Sequence, residues 1–449
     1  MTTLPTPKRA ALHSMGCRLN HAETQLIRQR LEAAGYAIVD WAEGADVMVL
    51  NSCTVTAQAD AKSRQALRSA RRRNPEARLA IVGCYAQLDA ARIAQQGLAD
   101  VIVGSGDKLG VTELLAAPPT DGPVVAAGRI SKAPFAFDTF VVSDGGTRAH
   151  LKVQDGCDFM CTFCVIPAAR GRSRPRQLDN LLAEAESLAQ QGAQEIVLTG
   201  VNVGTYDHDG ATLLEVVDRL NALSGIERIR ISSIEPTTVQ APLLERMADT
   251  SHKLVPFLHL PVQSGSEDVL AAMRRRYTAA EYRAFAEHAL RMVPDLCLGT
   301  DVMVGFPGES DEAFGETFAL LSSLPFAYFH VFPYSERNGT AAVRMGGSVP
   351  VPTRQRRADV LRALSDAKRL EFHRAHLGRT MPVLFEKPSR EDVAEGYTAN
   401  YIRVQVPYGE AATLRNQLRT VRLLEAGTHH VAGLFEADLP LPNAGAASS

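Results

Sequence analysis

Residues 149–164 read AHLKVQDGCDFMCTFC, a strand-like run followed at once by three cysteines. Cys157, Cys161 and Cys164 are separated by three and then two residues, so one loop can curl around a single metal centre. A structural zinc site takes four protein ligands, and an ordinary four-iron cluster is also held by four cysteines. Because no fourth Cys or His lies nearby in the sequence, the loop predicts a metal centre with one open position, as catalytic metals keep.

The alternation of strand and helix continues from about residue 149 to residue 340. The helix between the first two strand-like runs has leucines along one face and ends at Gly192. Repeated βα units of this length predict a parallel sheet covered by helices, here a barrel or a three-quarter barrel. Ligands of such folds collect at the carboxyl ends of the strands, so we expect the three-cysteine loop at the mouth of the barrel. The six runs are AHLKVQ, EIVLTG, RIRISSIEP, FLHLPVQSG, LCLGTDVMVGF and YFHVFPYS.

Another α/β section precedes this one and extends to about residue 115. Three of its strand-like runs, ALHSMG, DVMVLNSC and RLAIVGC, end at or next to Cys17, Cys53 and Cys84. The carboxyl ends of neighbouring parallel strands meet at one edge of a sheet, so these cysteines are predicted to converge on a second three-thiolate site. The alternative is that they are small buried hydrophobic residues, as free cysteines often are. Cys297, inside the apolar run LCLGTDV, is predicted to be such a core residue.

The remaining segments predict how the chain divides. A stretch rich in Pro, Gly, Asp and Ala is expected to be a linker, with an edge strand in FDTFVV at 137–142. A basic helix is predicted at 353–378, and alternating strands such as YIRVQV indicate a small all-β module after it. The expected domains are an N-terminal parallel three-layer α/β domain at 8–115, the linker at 116–148, a partial (βα)6 barrel at 149–375, the β module at 376–438 and a disordered tail at 439–449.

Composition limits the class of protein. The chain has 449 residues, of which 45% are hydrophobic and 22% charged, with a formal net charge of -2. These values are typical of a globular protein and unlike those of a histone or an acidic tail. No apolar run approaches the roughly 18 residues of a membrane span, and the first residues lack the apolar core of a signal peptide. We therefore expect a cytoplasmic monomer without a membrane partner, whose cysteines are metal ligands, reactive thiols or buried residues rather than disulfides.

Basic side chains are concentrated in two stretches of this nearly neutral chain. KSRQALRSARRRNPEAR occupies residues 62–78, and ARGRSRPR follows the barrel cysteines at 169–176. Such stripes are an electrostatic footprint for phosphates, and with the small β module they predict RNA binding. The alternative is that they are ordinary solvated helix faces. The arginines expected to contact RNA are Arg68, Arg71, Arg72, Arg170, Arg172 and Arg174.

Together these motifs resemble a known family. The CX3CX2C spacing after the first barrel strand, with Phe163 just before the last cysteine, is similar to the signature of radical S-adenosylmethionine (SAM) enzymes. Two incomplete cysteine sites and a C-terminal module similar to the TRAM RNA-binding domain resemble the methylthiotransferases, over nearly the whole chain. The segments GCRLNHAET, GCDFMCTFCVIPAARGRSR, LHLPVQSGSEDVLAAMRRRYT, TDVMVGFPGES and HVFPYSERNGTAA are similar to the MtaB branch in particular.

The resemblance implies an enzyme that uses two [4Fe-4S] clusters and S-adenosyl-L-methionine. The barrel cluster would bind SAM at its open iron and generate a 5′-deoxyadenosyl radical, which removes a hydrogen atom from the substrate. The N-terminal cluster would hold the sulfur, and a second SAM would donate the methyl group. The implied partners are the anticodon stem-loop of tRNA and an electron donor. The implied ligands are Cys157, Cys161 and Cys164, which are also the catalytic residues, and Cys17, Cys53 and Cys84.

Residues at the ends of the barrel strands are the candidates for contacts with SAM. Its amino, ribose and adenine groups need polar partners and closely approaching backbone, and the mouth of the barrel supplies both. The alternative is that the glycines only make turns and that the glutamate caps a helix. The candidates are Phe163, Thr199, Gly200, Glu235, Gln263, Ser264, Asp301 and Gly305.

The resemblance to this branch also implies a substrate, C2 of N6-threonylcarbamoyladenosine at position 37, next to the tRNA anticodon. The threonylcarbamoyl group carries a carboxylate, which suits the two-pronged fork of an arginine, and we expect Arg170 or Arg172 to bind it. Within the family, isopentenyladenosine of tRNA or an aspartate of a ribosomal protein remains an alternative. Outside the family, the alternative is a metal-stabilised RNA-binding protein without catalysis.

Overall fold

The N-terminal domain is built on a parallel sheet with strand order β2-β1-β3-β4-β5-β6. In this computed structural model, which describes residues 7–138 and 147–436, helices α1 and α4 pack on one face of the sheet and α2 and α3 on the other. The strands are β1 (Arg9–Ser14), β2 (Ala37–Val39), β3 (Val47–Ser52), β4 (Arg78–Gly83), β5 (Val101–Val103) and β6 (Val124–Ala126). The helices are α1 (Arg18–Ala33), α2 (Ala57–Arg73), α3 (Cys84–Gln95) and α4 (Val111–Ala116), with a 3-10 turn at Lys108–Gly110.

The central strands of this sheet follow the expected pattern, and its edges do not. Every residue of β3 is buried, as expected for a parallel strand covered by helices on both faces. The short edge strands β2 and β6 were not predicted, and β6 lies inside the segment expected to be a linker. Helix α1 begins at Arg18, directly after Cys17.

The central domain is an open barrel of six parallel strands. They form two three-stranded sheets, ordered β13-β10-β7 and β14-β15-β16, that meet at a bridge between Ile229 and Leu254. The strands are β7 (Arg148–Lys152), β8 (Gln154–Asp155), β9 (Arg174–Pro175), β10 (Glu195–Thr199), β11 (Asp207–His208), β12 (Ala211–Thr212), β13 (Arg228–Ile231), β14 (Phe257–His259), β15 (Cys297–Val304) and β16 (Tyr328–Pro333). The helices are α5 (Ile166–Arg170), α6 (Leu178–Gln190), α7 (Leu213–Asn221), α8 (Ala241–Ala248), α9 (Glu267–Ala272), α10 (Ala279–Met292), α11 (Asp311–Ser323) and α12 (Val351–Arg374), with 3-10 turns at Val203–Thr205, Pro236–Thr238 and Ala342–Arg344.

Alternation along these strands separates a packed outer face from a polar inner face. Leu151, Leu198 and Val302 belong to the large apolar core between the sheet and the helices. Their neighbours His150 and Thr199 therefore point to the opposite side, into the lumen of the barrel. The lumen is open along one side because β7 and β16 are edge strands that do not pair with each other.

The C-terminal domain is a closed five-stranded barrel with strand order β17-β18-β19-β21-β20. Its core includes the alternating residues Ile402, Val404 and Val406, as the sequence predicts. The strands are β17 (Thr380–Phe385), β18 (Val393–Thr398), β19 (Arg403–Pro407), β20 (Leu418–Ala426) and β21 (Val431–Phe435), with a 3-10 turn at Ala411–Leu414. The predicted fold class of three successive domains is therefore confirmed.

The two outer domains close the central barrel from different directions. The C-terminal barrel covers the amino ends of the strands, where Arg148 of β7 pairs with Glu386 at 2.6 Å. The N-terminal domain covers the open side, where Arg337, in the loop after β16, pairs with Asp60 of α2 at 2.7 Å. The lumen is consequently lined by all three domains.

Most of the edge strand expected at 137–142 and all of the tail expected at 439–449 lie outside the described residues. In the parts of the chain that are described, no helix is both long and apolar enough to cross a membrane.

Candidate active site

Cys17, Cys53 and Cys84, here called the N-terminal triad, lie together at the carboxyl edge of the N-terminal sheet. They follow β1, β3 and β4, which are consecutive neighbours in the sheet. Burial, and then the nearby thiols of Cys84 and Cys17, raise the pKa of Cys53. Cys17 is exposed, whereas the other two are buried, so the triad opens to one side. The predicted convergence of these three side chains therefore holds in the structure.

The backbone conformation of Gly16 explains how the chain passes close to Cys53. Gly16 has φ +95°, a conformation that side chains rarely adopt. A Cβ added at Gly16 would lie 2.5 Å from Cys53 Cβ and 2.7 Å from its Sγ. Glycine at this position is therefore a steric requirement of the triad.

Cys157, Cys161 and Cys164, here called the barrel triad, lie on the loop between β8 and α5 at the carboxyl end of the central barrel. Burial is the main reason that the pKa of Cys157 rises to about 11 and that of Cys164 to about 12. The Phe159 backbone N–H donates to Cys157 Sγ at 3.3 Å, and Arg275 Nη1 donates to Cys161 Sγ at 3.3 Å. The Phe159 donor opposes the effect of burial on the pKa of Cys157 and favours the thiolate form that metal binding requires.

The spacing of the sulfurs distinguishes between kinds of metal centre. In the described residues, three ligand atoms lie within 4.8 Å of one another only at His259, Asp301 and His330. Neither cysteine triad is drawn together that tightly, although a tetrahedral zinc with Zn–S bonds of about 2.3 Å would need it. A multi-iron cluster has its irons, and so its thiolates, further apart. The spacing of the sulfurs in both triads therefore differs from that around a single tetrahedral ion.

A buried network of charged side chains, here called the seam network, joins the two domains between the triads. Glu23 of α1 accepts from Lys152 of β7 at 2.7 Å, from Arg170 of α5 at 3.1 Å and from Lys108. Asp155, two residues before the barrel triad, also accepts from Lys152 and Arg170, at 2.7 and 3.0 Å. Burial alone would raise the pKa of Glu23, but Arg170, Lys108 and Lys152 hold it well below its usual range.

Arg170 is the member of this network that lies near both triads. It lies six residues after Cys164. Burial alone would lower its pKa, but Cys84, Glu23 and Asp155, and then Cys17, raise it well above its usual range. It is 1% exposed, and Glu23, Asp155 and Asn20 accept from its terminal nitrogens. The expectation that Arg170 contacts RNA or the substrate carboxylate is therefore corrected, because its donors are already used inside the protein.

The other arginines expected to contact RNA fall into two groups. Arg174 is also buried and pairs with Asp155 at 3.4 Å, and Arg71 is half-buried and pairs with Asp100 at 2.6 Å. The geometry thus gives these two side chains structural partners. Arg68, Arg72 and Arg172 are exposed, and Arg172 lies 3.6 Å from the exposed Asp158.

Five of the candidates for SAM contacts lie around the mouth or in the lumen. Thr199 ends β10, and its hydroxyl lies 3.4 Å from His150 Nδ1. A Cβ at Gly200 would lie 3.0 Å from Gln154 Oε1, so the backbone passes close to that side chain. Glu235 pairs with Arg275, whose other terminal nitrogen donates to Cys161, and burial raises the pKa of Glu235. Phe163 packs edge-on against Phe306, and Asp301 lies between two lumen histidines.

The remaining candidates have other roles in the structure. Gln263 has φ +68°, and the turn directs Ser264 away from the mouth, so that its hydroxyl meets Thr317 of α11 at 3.1 Å. Ser264 is 1% exposed, and its expected contact with SAM is corrected for that reason. A Cβ at Gly305 would lie 2.2 Å from Arg354 Cγ, so this glycine allows α12 to approach.

Two functional features of the lumen were not predicted. His259 Nε2 and His330 Nδ1 each lie 3.1 Å from the same Asp301 oxygen, and His259 Nδ1 lies 3.1 Å from Tyr328 Oη. Arg275 was not predicted to approach Cys161. The alternation of polar residues in FLHLP and YFHVFP was the available signal for the histidines, whereas Arg275 follows α9 and no strand pattern marks it.

Comparison with known families gives matches over two parts of the chain. Residues 151–321 match the Radical SAM superfamily. Residues 9–104 match Uncharacterized protein family UPF0004, and this range contains the whole N-terminal triad. Both cysteine triads therefore fall inside matched regions.

Two bacterial relatives are similar over most of their length. A threonylcarbamoyladenosine tRNA methylthiotransferase MtaB of Bacillus subtilis (strain 168) is 38% identical over 439 residues, which cover 95% of this chain and 96% of the relative. A protein of the same name in Aquifex aeolicus (strain VF5) is 37% identical over 401 residues, covering 88% and 96% of the two chains.

A solved structure resembles the chain in fold. The radical S-adenosylmethionine methyltransferase TsrM from Kitasatospora setae, with cobalamin and a [4Fe-4S] cluster bound, has a TM-score of 0.55 and 16% sequence identity. The match covers 75% of this chain and 77% of that one. At this level of identity the likeness concerns the fold alone.

Proposed function

The chain belongs to the radical SAM methylthiotransferase family, and on that premise we propose that it adds a methylthio group to C2 of N6-threonylcarbamoyladenosine at position 37 of tRNA. The observation that carries the proposal is the presence of two three-cysteine sites on either side of one buried seam. The choice of nucleoside is supported by the names of relatives that are 38% and 37% identical.

We assign one [4Fe-4S] cluster to the barrel triad and a second to the N-terminal triad. When bound, these clusters and SAM would supply radical chemistry on the barrel side and a sulfur donor on the other side. Cys17 is exposed, so the N-terminal triad is open to a substrate on that side. The chain's own task is to hold the two sites at a fixed separation and to keep water away from the lumen.

Several side chains of the protein would perform that task. The seam network ties α1, which begins at the N-terminal triad, to β7 and α5, which flank the barrel triad. Arg170 places a positive charge beside Cys84 and Cys17. Arg275 donates to Cys161 and is itself oriented by Glu235, as partners of metal ligands commonly are.

RNA would bind to exposed basic side chains of the N-terminal and central domains. We retain Arg68, Arg72 and Arg172 as phosphate contacts, because their guanidinium groups are exposed. The C-terminal barrel, which packs under the lumen, would supply a second contact with the stem-loop. The proposal includes a partner that donates electrons to the clusters and a cytoplasmic monomer as the working form.

Mass spectrometry of tRNA nucleosides tests the proposal directly. The gene is expressed in a bacterial strain that makes threonylcarbamoyladenosine but lacks its own methylthiotransferase for it. We expect the 2-methylthio form of threonylcarbamoyladenosine to appear with the wild-type protein and to be missing when Cys161 is replaced by Ala. Methylthio groups found only on isopentenyladenosine, or only on a ribosomal-protein aspartate, would overturn the substrate assignment.

A further inference from the structure

The side chain of Arg18, the residue that follows Cys17, extends from the N-terminal domain into the open side of the central barrel. Its Nη2 donates to Tyr401 Oη at 2.9 Å, so the side chain reaches the C-terminal barrel at the floor of the lumen. Its charge also acts on His150 of β7 and on Tyr328 of β16, the two edge strands. Arg18 therefore lies in the gap between those strands, where all three domains meet.

Four other cations in or near the lumen have acidic partners, and Arg228 donates to the backbone oxygens of Tyr397 and Pro382. Arg148 pairs with Glu386, Lys152 with Glu23 and Asp155, Arg230 with Glu195, and Arg275 with Glu235. Arg18 forms no ion pair with any carboxylate in residues 7–138 or 147–436. Its side chain is exposed and, among the described residues, donates only to the phenol oxygen of Tyr401, so it can still bind an anion.

A cavity of about 360 Å³ lies at the end of the Arg18 side chain. Its described lining includes three arginines, three histidines and three tyrosines and contains no carboxylate. Tyr397 and Tyr401 stack on each other with ring centroids 4.9 Å apart and form part of the wall. The cavity thus offers positive charge and flat aromatic surfaces, which suit a planar group that carries an anion.

Neighbouring groups confirm that this region is positive. Burial alone would raise the pKa of Tyr401, yet the pKa is lowered, because Arg18, Arg148 and Arg230 surround the phenol. Burial, and then the charges of Arg18 and Arg148, lower the pKa of His150 to about 4. An anion that enters the cavity would therefore meet the charge of Arg18, which no carboxylate of the described residues balances, whereas Arg369 and Arg403 pair with Asp366 and Glu395.

We propose that Arg18 is a specificity-determining residue that binds the carboxylate of the threonylcarbamoyl group. The inference rests on the proposed function. In adenine, C2 and the carbon that carries N6 flank the same ring nitrogen, so a base that presents C2 to the Cys17 side brings its N6 substituent close by. The residue next to Cys17 is then well placed to bind the far end of that substituent. The same guanidinium chemistry would also bind an RNA phosphate, and the test separates the two sources.

The test measures binding of anticodon stem-loop RNA by the reconstituted protein, without SAM or reductant, using fluorescence anisotropy. Three RNAs are compared, which carry threonylcarbamoyladenosine, its carboxamide analogue or plain adenosine at position 37. Wild-type protein should bind the carboxylate RNA most tightly. R18Q should weaken that binding by about 10- to 100-fold and change binding of the other two RNAs by less than about 2-fold.

Matched variants control the experiment. R28Q removes an exposed arginine from the same helix, where Arg28 pairs with Glu32 at 3.2 Å, and should bind all three RNAs like wild type. R18K keeps the charge but loses the fork, and should fall between wild type and R18Q on the carboxylate RNA alone. Iron content is measured for each variant. If R18Q loses iron, the comparison is made between wild type and R18K with its iron intact.

Two results would overturn the inference. Equal losses of R18Q on all three RNAs would assign Arg18 to a phosphate, and unchanged binding of the carboxylate RNA would remove it from recognition altogether. Failure of the proposed function is recognised separately. In that case the wild-type protein would form no methylthio product on the carboxylate RNA, whatever the Arg18 variants bind.

Discussion

Glu23 is the carboxylate on which the seam network depends, and replacing it with glutamine should destabilise the protein. Its oxygens accept from Lys152 at 2.7 Å, from two nitrogens of Arg170 at 3.1 Å, and from Lys108. All of these side chains are buried. Glu23→Gln therefore leaves Asp155 to balance the buried cations of the network.

The size of the effect follows from the cost of an unbalanced buried charge. Removing one partner of a buried ion pair costs about 3–5 kcal/mol, and glutamine keeps one acceptor oxygen, so we expect about 3 kcal/mol. At about 2–4 °C per kcal/mol for domains of 150–250 residues, the first unfolding transition should fall by roughly 6–12 °C. The pKa of Glu23 is lowered by folding, so its contribution is present above the ordinary value of 4.5 and is lost as the pH falls through the folded pKa. The difference between wild type and variant should be complete at pH 7 and should shrink in acid.

Scanning calorimetry of cluster-free protein at neutral and acidic pH measures this difference. Glu32→Gln is the matched control, because Glu32 lies on the same helix in an exposed pair with Arg28 and should change stability by less than about 0.5 kcal/mol. If the Glu23 and Glu32 variants unfold at the same temperature at pH 7, the seam network does not hold the domains together as argued.

Three further predictions concern the cysteine sites and the RNA surface. Gly16→Ala should lower the iron content after anaerobic reconstitution from about eight to about four irons per chain. Gly35 also has positive φ, but a Cβ there would meet no described atom within 4 Å, so Gly35→Ala should keep all of the iron. Arg275→Gln should slow 5′-deoxyadenosine formation by about 10- to 100-fold, since it removes a donor to a barrel cysteine, and an unchanged rate would exclude this role. Arg68→Gln should reduce the slope of log K against log salt concentration for RNA binding by the equivalent of about one phosphate contact. Arg71→Gln should leave the slope unchanged, because Arg71 pairs inside its own domain. Equal slopes for the two variants would contradict the assignment.

The arrangement of the cysteines could be predicted because it follows from topology. Three cysteines at the ends of parallel strands meet whenever those strands are neighbours, and β1, β3 and β4 are consecutive in the sheet. The barrel triad could be predicted from its spacing alone, since its three members share one loop. The alternation of apolar residues likewise predicted the six barrel strands and the C-terminal module.

The partners of individual charged side chains could not be predicted in the same way. Arg170 was expected at the surface because it lies in a basic run, but its partner Glu23 is 147 residues away in the sequence. Ser264 was expected at the mouth, but the positive φ of Gln263 turns it toward α11. No sequence pattern marked Arg18, because its proposed role depends on an opening between strands that only the assembled domains create.

The most direct test of the central claim separates the two triads by iron content and by product. Each triad is replaced by alanines as a set, and each reconstituted variant is assayed for iron, for 5′-deoxyadenosine and for methylthiolated nucleoside. We expect about eight irons in wild type and about four in either variant. The N-terminal-triad variant should still form 5′-deoxyadenosine, and neither variant should form product. A variant without the N-terminal triad that kept all of its iron, or that still methylthiolated the nucleoside, would contradict the claim.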